Sequence, residues 1–309
     1  FYKMKKLLIC TFLFSLFIPC LFAEEKYEKV FLNAQKLQAA ECYKEAALEY
    51  KRYLFCADYA PLEHEDQAFI ELSRYYHKTG DYTTAINYIK SAINIIKEKN
   101  PSSADLEKLY LEHIILLANK STKDQDWLER EPSILGYINF PVYSQKVKKL
   151  AYISLIKSNL ENWEWERAQK EFTDFTTLYP DLYTTEEIQK FNKLIEEQKN
   201  AKEKNPKLAL YLSIIPGLGQ TYAGNPKDGL NAFILNASLI AASTYSLITQ
   251  NYADYILVEL ELLIRFYKGN LANAEQEAVK YNLEQNEKYA HKMMEIVENS
   301  EKEDKKSDK

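Results

Sequence analysis

Two consecutive runs without a charged side chain constrain this chain more than anything else in it. Positions 208–226 carry no Asp, Glu, Lys, Arg or His, Lys227 and Asp228 follow, and positions 229–253 again carry none, although the chain is 28% charged overall. Pro216 and Gly217 break the first run, so Leu208 to Ile215 has room for two helical turns before a turn or loop. Gly229 to Ile248 is 20 residues long, about 30 Å of helix, which matches the hydrocarbon thickness of a bilayer. Ala237 with Ala241, and Ser238 with Ala242, stand four apart, the spacing that lets helices approach closely in lipid. Asn231, Asn236, Ser243 and Thr244 dilute its hydrophobicity. A third apolar element, Tyr255 to Tyr267, carries Glu259, Glu261 and Arg265. Glu261 and Arg265 are spaced i,i+4 and are expected to neutralise each other, which leaves Glu259 as the costly residue in lipid.

The N-terminus has the pattern of an export signal. Met4 is read as the start, Lys5-Lys6 as the positive segment, Leu7 to Phe17 as the apolar segment, and Ala23 as the last residue before cleavage. The alternative is a lipidated Cys20, to which Pro19 is a poor neighbour. Cys42 and Cys56 flank a predicted helix and are 14 residues apart, so they are expected to be free thiols. A net charge of -5 supplies no basic field, which argues against a nucleic-acid partner.

Only 7 Gly and 9 Pro stand against 24 Tyr, a balance that points to helices joined by short connections, an all-α fold. Phe69, Leu72, Ser73 and Tyr76 precede Gly80-Asp81-Tyr82, and Ala85, Ile86, Ile89 and Ala92 follow. Leu72 and Tyr76 share a helix face, Gly80 permits a tight turn, small Ala85 admits a neighbouring helix, and Ile89 and Ala92 continue the buried stripe. This large–small–aromatic spacing resembles the tetratricopeptide repeat. A weaker copy runs through Val30, Ala34, Leu37, Tyr43, Ala46, Tyr50 and Tyr53, offset by 39 residues from Tyr43 to Tyr82. A third fits Tyr152, Leu155, Ile156, Trp165, Ala168, Phe172, Phe175 and Pro180, with Trp163 in place of the turn glycine. Between them Ala104 to Asn119 is amphipathic behind Ser102 or Ser103 as N-cap, and Gly136 to Pro141 interrupts the pattern, so 120–145 fits no repeat. The resemblance implies a degenerate array whose inner helices line a groove. By it Gln35, Gln38, Arg74, His77, Lys78 and Lys157 face the groove, a set suited to an acidic or C-terminal peptide.

Thr184 to Gln198 reads as a polar helix, followed by a mixed-charge connector closed by Pro206. After Gly269-Asn270 a second polar helix is expected from Leu271 to Val297, and the charged residues from Ser300 onward are expected to be disordered. The organisation expected is therefore a signal peptide over 1–23, a helical repeat domain over 24–200, a hydrophobic block over 201–270, and a polar helix with its tail over 271–309. Pro216, Gly217, Gly219, Gln220, Tyr222 and Gly224, followed by Gly229, resemble the small bacterial membrane-hairpin families with a P-G-x-G-Q-x-Y-x-G turn. Gly269-Asn270, Ala274, Ala278 and Tyr281-Asn282 are similar to the C-terminal end of envelope proteins that join such a block to tetratricopeptide repeats. The resemblance implies an envelope protein and no particular chemistry. Lys199, Lys202, Lys204 and Lys207 flank the block on the exported side, which the positive-inside rule disfavours. A hairpin seated in one leaflet would avoid that conflict.

No catalytic set stands out. Gly217-x-Gly219 follows no predicted strand, with Tyr222 where a dinucleotide fingerprint has glycine, and His64, His77, His113 and His291 are scattered, with His64 read as part of a solvated loop. No catalytic residue, metal, cofactor or small-molecule substrate is expected. The expectation is a non-enzymatic exported scaffold or assembly protein with a protein or peptide partner, held at the periplasmic face of a bacterial envelope membrane. The alternative is a soluble periplasmic adaptor whose apolar helices are internal core.

Overall fold

The computed structural model describes residues 27–56, 62–119, 127–256 and 260–307, with the side chains of 127–130, 254 and 299–307 excepted. The segment expected to be an export signal, Cys20 and Glu259 lie outside the described residues. Among those described every regular element is helical and none is a strand. The chain divides into two compact units between Leu178 and Tyr179.

The first unit is a series of antiparallel helices: α1 (27–39), α2 (Tyr43–Phe55), α3 (Glu65–Lys78), α4 (Tyr82–Lys99), α5 (Ala104–Asn119), α6 (Trp127–Asn139), α7 (Gln145–Glu161) and α8 (Trp165–Leu178). Three turns in it are built alike. Glu41, Gly80 and Trp163 each adopt a left-handed backbone, with φ of 62°, 81° and 61°. The next residue's N–H then donates back to a carbonyl five residues earlier: Cys42 to Leu37 at 2.9 Å, Asp81 to Tyr76 at 3.0 Å, and Glu164 to Asn159 at 2.8 Å. This is the Schellman closure, which satisfies the last carbonyls of one helix and starts the next almost at once. Trp163 therefore makes the same turn as the glycine, at a cost of about 1–2 kcal/mol for a side chain in that conformation.

Counting from each left-handed residue, the core positions coincide. Ala46, Ala85 and Ala168 come five residues later, Tyr50, Ile89 and Phe172 nine later, and Tyr53, Ala92 and Phe175 twelve later, all buried. Small side chains at the first position bring the paired helices close; in the second hairpin the Ser73 hydroxyl donates to the Ala85 carbonyl across the gap at 2.9 Å. Each large aliphatic side chain fully buried here, such as Leu72 or Ile89, contributes about 1.5–3 kcal/mol. One cluster centres on Phe31, Tyr50, Tyr53 and Leu72, another on residues from Ala85 to Leu155. Ser103 caps α5 through the Asp105 N–H at 3.3 Å. Residues 127–139 form α6, which packs on α7 and buries Ile134 and Tyr137. α6 runs through Gly136 and ends at Asn139, within the interruption expected over Gly136 to Pro141. Cys42 and Cys56 are free thiols at the two ends of α2.

The second unit contains a 3₁₀ turn (Pro180–Leu182), then α9 (Thr185–Lys199), α10 (Pro206–Leu212), α11 (Leu218–Tyr222), α12 (Pro226–Ile248), α13 (Tyr252–Asp254) and α14 (Leu260–Ser307). Thr184 and Glu187 form a reciprocal capping box on α9. The boundary expected after 200 falls on the far side of α9, which packs on α14 within this unit. Pro206 opens α10 at its first position behind the Asn205 cap and does not close a connector. α14 runs through Gly269-Asn270 without a break and continues to Ser307. The separate helix expected from Leu271 is therefore part of one longer helix that starts at Leu260.

Candidate functional site

In the first unit, α1, α2 and α3 enclose a cavity of about 290 Å³ lined by Gln38, Tyr43, Tyr50, Arg74, His77 and Lys78, among others. Four of the six groove residues expected from the sequence meet here; Gln35 and Lys157 do not line it. A chain of polar bonds crosses its wall. The Tyr50 hydroxyl donates to Gln38 Oε1 at 2.7 Å, Gln38 Nε2 donates to Glu71 Oε2 at 2.7 Å, and Arg74 Nη1 donates to Glu71 Oε1 at 3.0 Å. Arg74 Nη2 continues the chain to Glu112 Oε1 on α5 at 2.8 Å. The bond to Glu112 raises the Arg74 pKa above its ordinary value, and burial followed by the Glu71 charge pushes Tyr50 up to about 12. Arg74 is thus neutralised twice over. Lys78 remains as the cation, its Nζ 4.6 Å from the Tyr43 ring centre. Tyr43, Tyr50 and Glu71 belong to this site and went unassigned in the sequence, although the i,i+3 pair Glu71/Arg74 was visible there.

Elsewhere in that unit, His64 is anchored and not part of a solvated loop. Its ring stacks on Phe31 at 4.6 Å, its Nε2 pairs with Glu28 at 3.3 Å, and its N–H donates to the Tyr53 hydroxyl. Glu28, Glu63 and His64 bring ligand-capable atoms within 4.8 Å of one another, the His64–Glu28 ion pair among them.

In the second unit the P-G-x-G-Q-x-Y-x-G residues form one packed hub. Pro216 occupies the turn between α10 and α11. Gly217 caps α11 with φ +89°, and an added Cβ would overlap the Gly229 carbonyl of α12. A Cβ on Gly219 would overlap the Ser213 hydroxyl and the Ala209 carbonyl and lie 2.8 Å from Ala274 Cβ on α14. The glycines are therefore the points of closest approach among four helices, around a core of Ala209, Ala223, Ala274 and Ala278. Buried Asn270 ties the hub together: its Oδ1 accepts from Gln220 Nε2 at 2.8 Å and from the Gly217 N–H at 3.3 Å, and its Nδ2 donates to the Ser213 carbonyl at 3.0 Å. Tyr222 accepts from the Asn205 N–H at 3.0 Å and lies under Lys204 Nζ. Gly224, φ +99°, ends α11 against the Tyr281 ring. Asn282 bonds both the N–H and the carbonyl of Lys204 at 2.8 Å.

The helix beyond the hub is inside out. α12 buries Gly229, Asn236, Ser243 and Ser246, and exposes Leu230, Phe233, Ile234, Ile240, Leu247 and Ile248. The buried positions 229, 236 and 243 recur every seven residues, a stripe of small and polar groups. Ala237, Ala241, Ser238 and Ala242, whose spacing suits close approach of a helix in lipid, are exposed. Several polar groups on α12 bond its own backbone: Asn236 Nδ2 donates to the Ala232 carbonyl, Ser238 to Ile234 and Thr244 to Ile240, each at 2.8 Å, while Asn236 Oδ1 and Ser243 Oγ are buried without a partner. Tyr211, Ile214 and Ile215 around the end of α10, and Ile264 and Phe266 at the start of α14, add to the exposed apolar surface. Glu261 and Arg265 do not form the ion pair expected of them; both are exposed. Against the body of known proteins, no family model, no curated protein and no solved structure matches the chain.

Proposed function

We propose that the chain is a non-enzymatic scaffold of a bacterial envelope, exported, built on degenerate tetratricopeptide-like hairpins, and held at a membrane by α10–α12 and the start of α14. One observation carries this reading: the residues α12 buries are Gly229, Asn236, Ser243 and Ser246, while Leu230, Phe233, Ile234, Ile240, Leu247 and Ile248 are turned outward. In water that arrangement exposes a costly apolar surface, whereas in lipid it leaves apolar side chains in their own solvent and backbone-bonded hydroxyls at little cost. α12 is 23 residues long, about 35 Å of helix, enough to cross the hydrocarbon core. The recurring turn geometry and matched core positions of the first unit support the repeat assignment. Its cavity over α1–α3, with tyrosines, an internal ion-pair chain and Lys78, supports a peptide segment as partner.

Carbonate extraction of membranes from cells producing the chain tests the anchor. Retention in the pellet is expected, and complete release into the soluble fraction would overturn it.

A further inference from the structure

Between α12 and α14 lies a cleft of about 740 Å³. Its lining is mixed, polar side chains standing beside apolar ones. Asn231, Asn273, Gln276, Asp228, Glu277 and Arg265 are among its lining residues, together with the apolar Leu235 and with Phe266, the neighbour of Arg265 in sequence. Gln220 and Asn236, both almost completely buried, also line it, and each keeps an amide oxygen with no donor. Buried acceptors left in this state need a hydroxyl or an N–H to complete them. Arg265 forms no ion pair among the described residues.

The chemistry changes in order along α14. Arg265 and Phe266 come first, then Asn270 and Asn273, then Gln276 and Glu277, over about 18 Å of helix. Along the helix this sequence is a cation beside an aromatic ring, then amides, then a carboxylate. A phospholipid has the same order of complementary groups: acyl chain, phosphate, then head group. Guanidinium recognises phosphate, and amides and carboxylates recognise vicinal hydroxyls, for which they supply both acceptors and donors. A primary ammonium head would not use the amide donors, and a bare phosphate would leave the outer two thirds of the cleft without a counterpart.

Resting on the membrane reading above, we infer that this cleft binds a lipid whose phosphate carries a polyhydroxylated head, glycerol or a sugar. The phosphate sits at Arg265, the acyl chains run along Leu235 and Phe266, and the hydroxyls reach Asn231, Asn273 and Glu277.

The test uses the full chain in flotation on vesicles of phosphatidylcholine alone or with phosphatidylglycerol, phosphatidylinositol or phosphatidylserine. Binding to the glycerol and inositol lipids about tenfold tighter than to the serine lipid is expected, about 1.4 kcal/mol. Arg265→Gln should remove that preference, and Asn273→Leu should bring the polyol lipids down to the serine lipid; both residues are exposed, so neither change threatens folding. Equal binding of all three anionic lipids, lost together in Arg265→Gln, would mean charge alone and overturn the assignment. Competition by millimolar glycerol phosphate or inositol phosphate as effective as the lipid would overturn the lipid as source. Flotation on phosphatidylcholine with no preference would overturn this proposal and leave the anchor standing. Failure to float on any vesicle would overturn both.

Discussion

Acid should weaken the first unit through one histidine. His113 on α5 is 4% exposed, its Nδ1 is 2.6 Å from the Tyr137 hydroxyl, and its Nε2 has no partner. Burial, with a smaller contribution from the like charge of Lys90, lowers its pKa from 6.5 to about 4. Burial raises Tyr137, so that hydroxyl keeps its proton and donates to the ring. Protonation would place a second N–H and a charge where nothing accepts them. The folded chain therefore resists a proton that the unfolded chain takes up near 6.5, and stability contributed by the neutral ring declines as pH falls through that window. At 1.36 kcal/mol per pH unit the loss is about 2 kcal/mol at pH 5 and about 3 kcal/mol by pH 4. The assay is urea unfolding followed by tryptophan fluorescence, since Trp127, Trp163 and Trp165, the chain's 3 tryptophans, all belong to the first unit. Wild type is compared with His113→Leu/Tyr137→Phe, which removes both partners and leaves no orphaned hydroxyl. The double variant should lose less stability than wild type between pH 7 and 4 by about 3 kcal/mol, the carboxylates common to both cancelling. Equal pH dependence in the two proteins would refute the buried neutral imidazole.

Four further outcomes follow, three from the packing and one from the cavity over α1–α3. Gly219→Ala should destabilise the second unit by about 3 kcal/mol or more, because its methyl meets a hydroxyl, a carbonyl and another methyl on three sides. Gly269→Ala, with nothing within 4 Å of the added carbon, should stabilise α14 by about 0.5–1 kcal/mol, and thermal unfolding in detergent separates the two. Glu41→Gly relieves an exposed left-handed residue and should raise stability by about 1 kcal/mol in urea titration. Arg74→Ala with Lys78→Ala should remove the bound protein from pull-downs of the full chain, and an unchanged set of partners would reject the cavity over α1–α3 as the binding groove.

What was legible in the sequence is what is local. The alanine, aromatic and aliphatic spacing around Gly80 sits within a single hairpin, and the structure repeats it around Glu41 and Trp163. A glycine was the visible mark of that turn, but Trp163 shows that helix pairing can hold another residue in the left-handed region. The misplaced features all depended on distant partners. Gly269-Asn270 carries an ordinary helix-stop signal, yet the Asn270 amide is used by Gln220, Gly217 and Ser213, fifty or more residues away in sequence, and the helix continues through it. On α12 the familiar rule of apolar inside and polar outside selects the wrong face. The contact stripe is the seven-residue series Gly229, Asn236, Ser243, which only becomes a signal once the solvent is taken to be lipid.

The hub also determines how the second unit transmits position. α14 has 48 residues, about 72 Å of helix. Near its start it carries the exposed apolar residues Ile264 and Phe266 and is locked to α10 and α11 through Asn270. Further along, Asn286 accepts from Gln198 on α9 at 3.3 Å, and the Val297 carbonyl accepts from the Tyr183 hydroxyl at 3.0 Å. A helix broken at Gly269 would let the apolar end and α9 move independently. A continuous one, pinned at three separated points, makes them a single lever, so that seating α10–α12 in a bilayer also sets the height and rotation of α9. Insertion of two residues after Gly269 would turn the outer part of α14 by about 200° relative to the hub, which takes Asn286 and Val297 off the α9 side. If α9 remained protected from protease in such a variant as in wild type, the lever would be wrong.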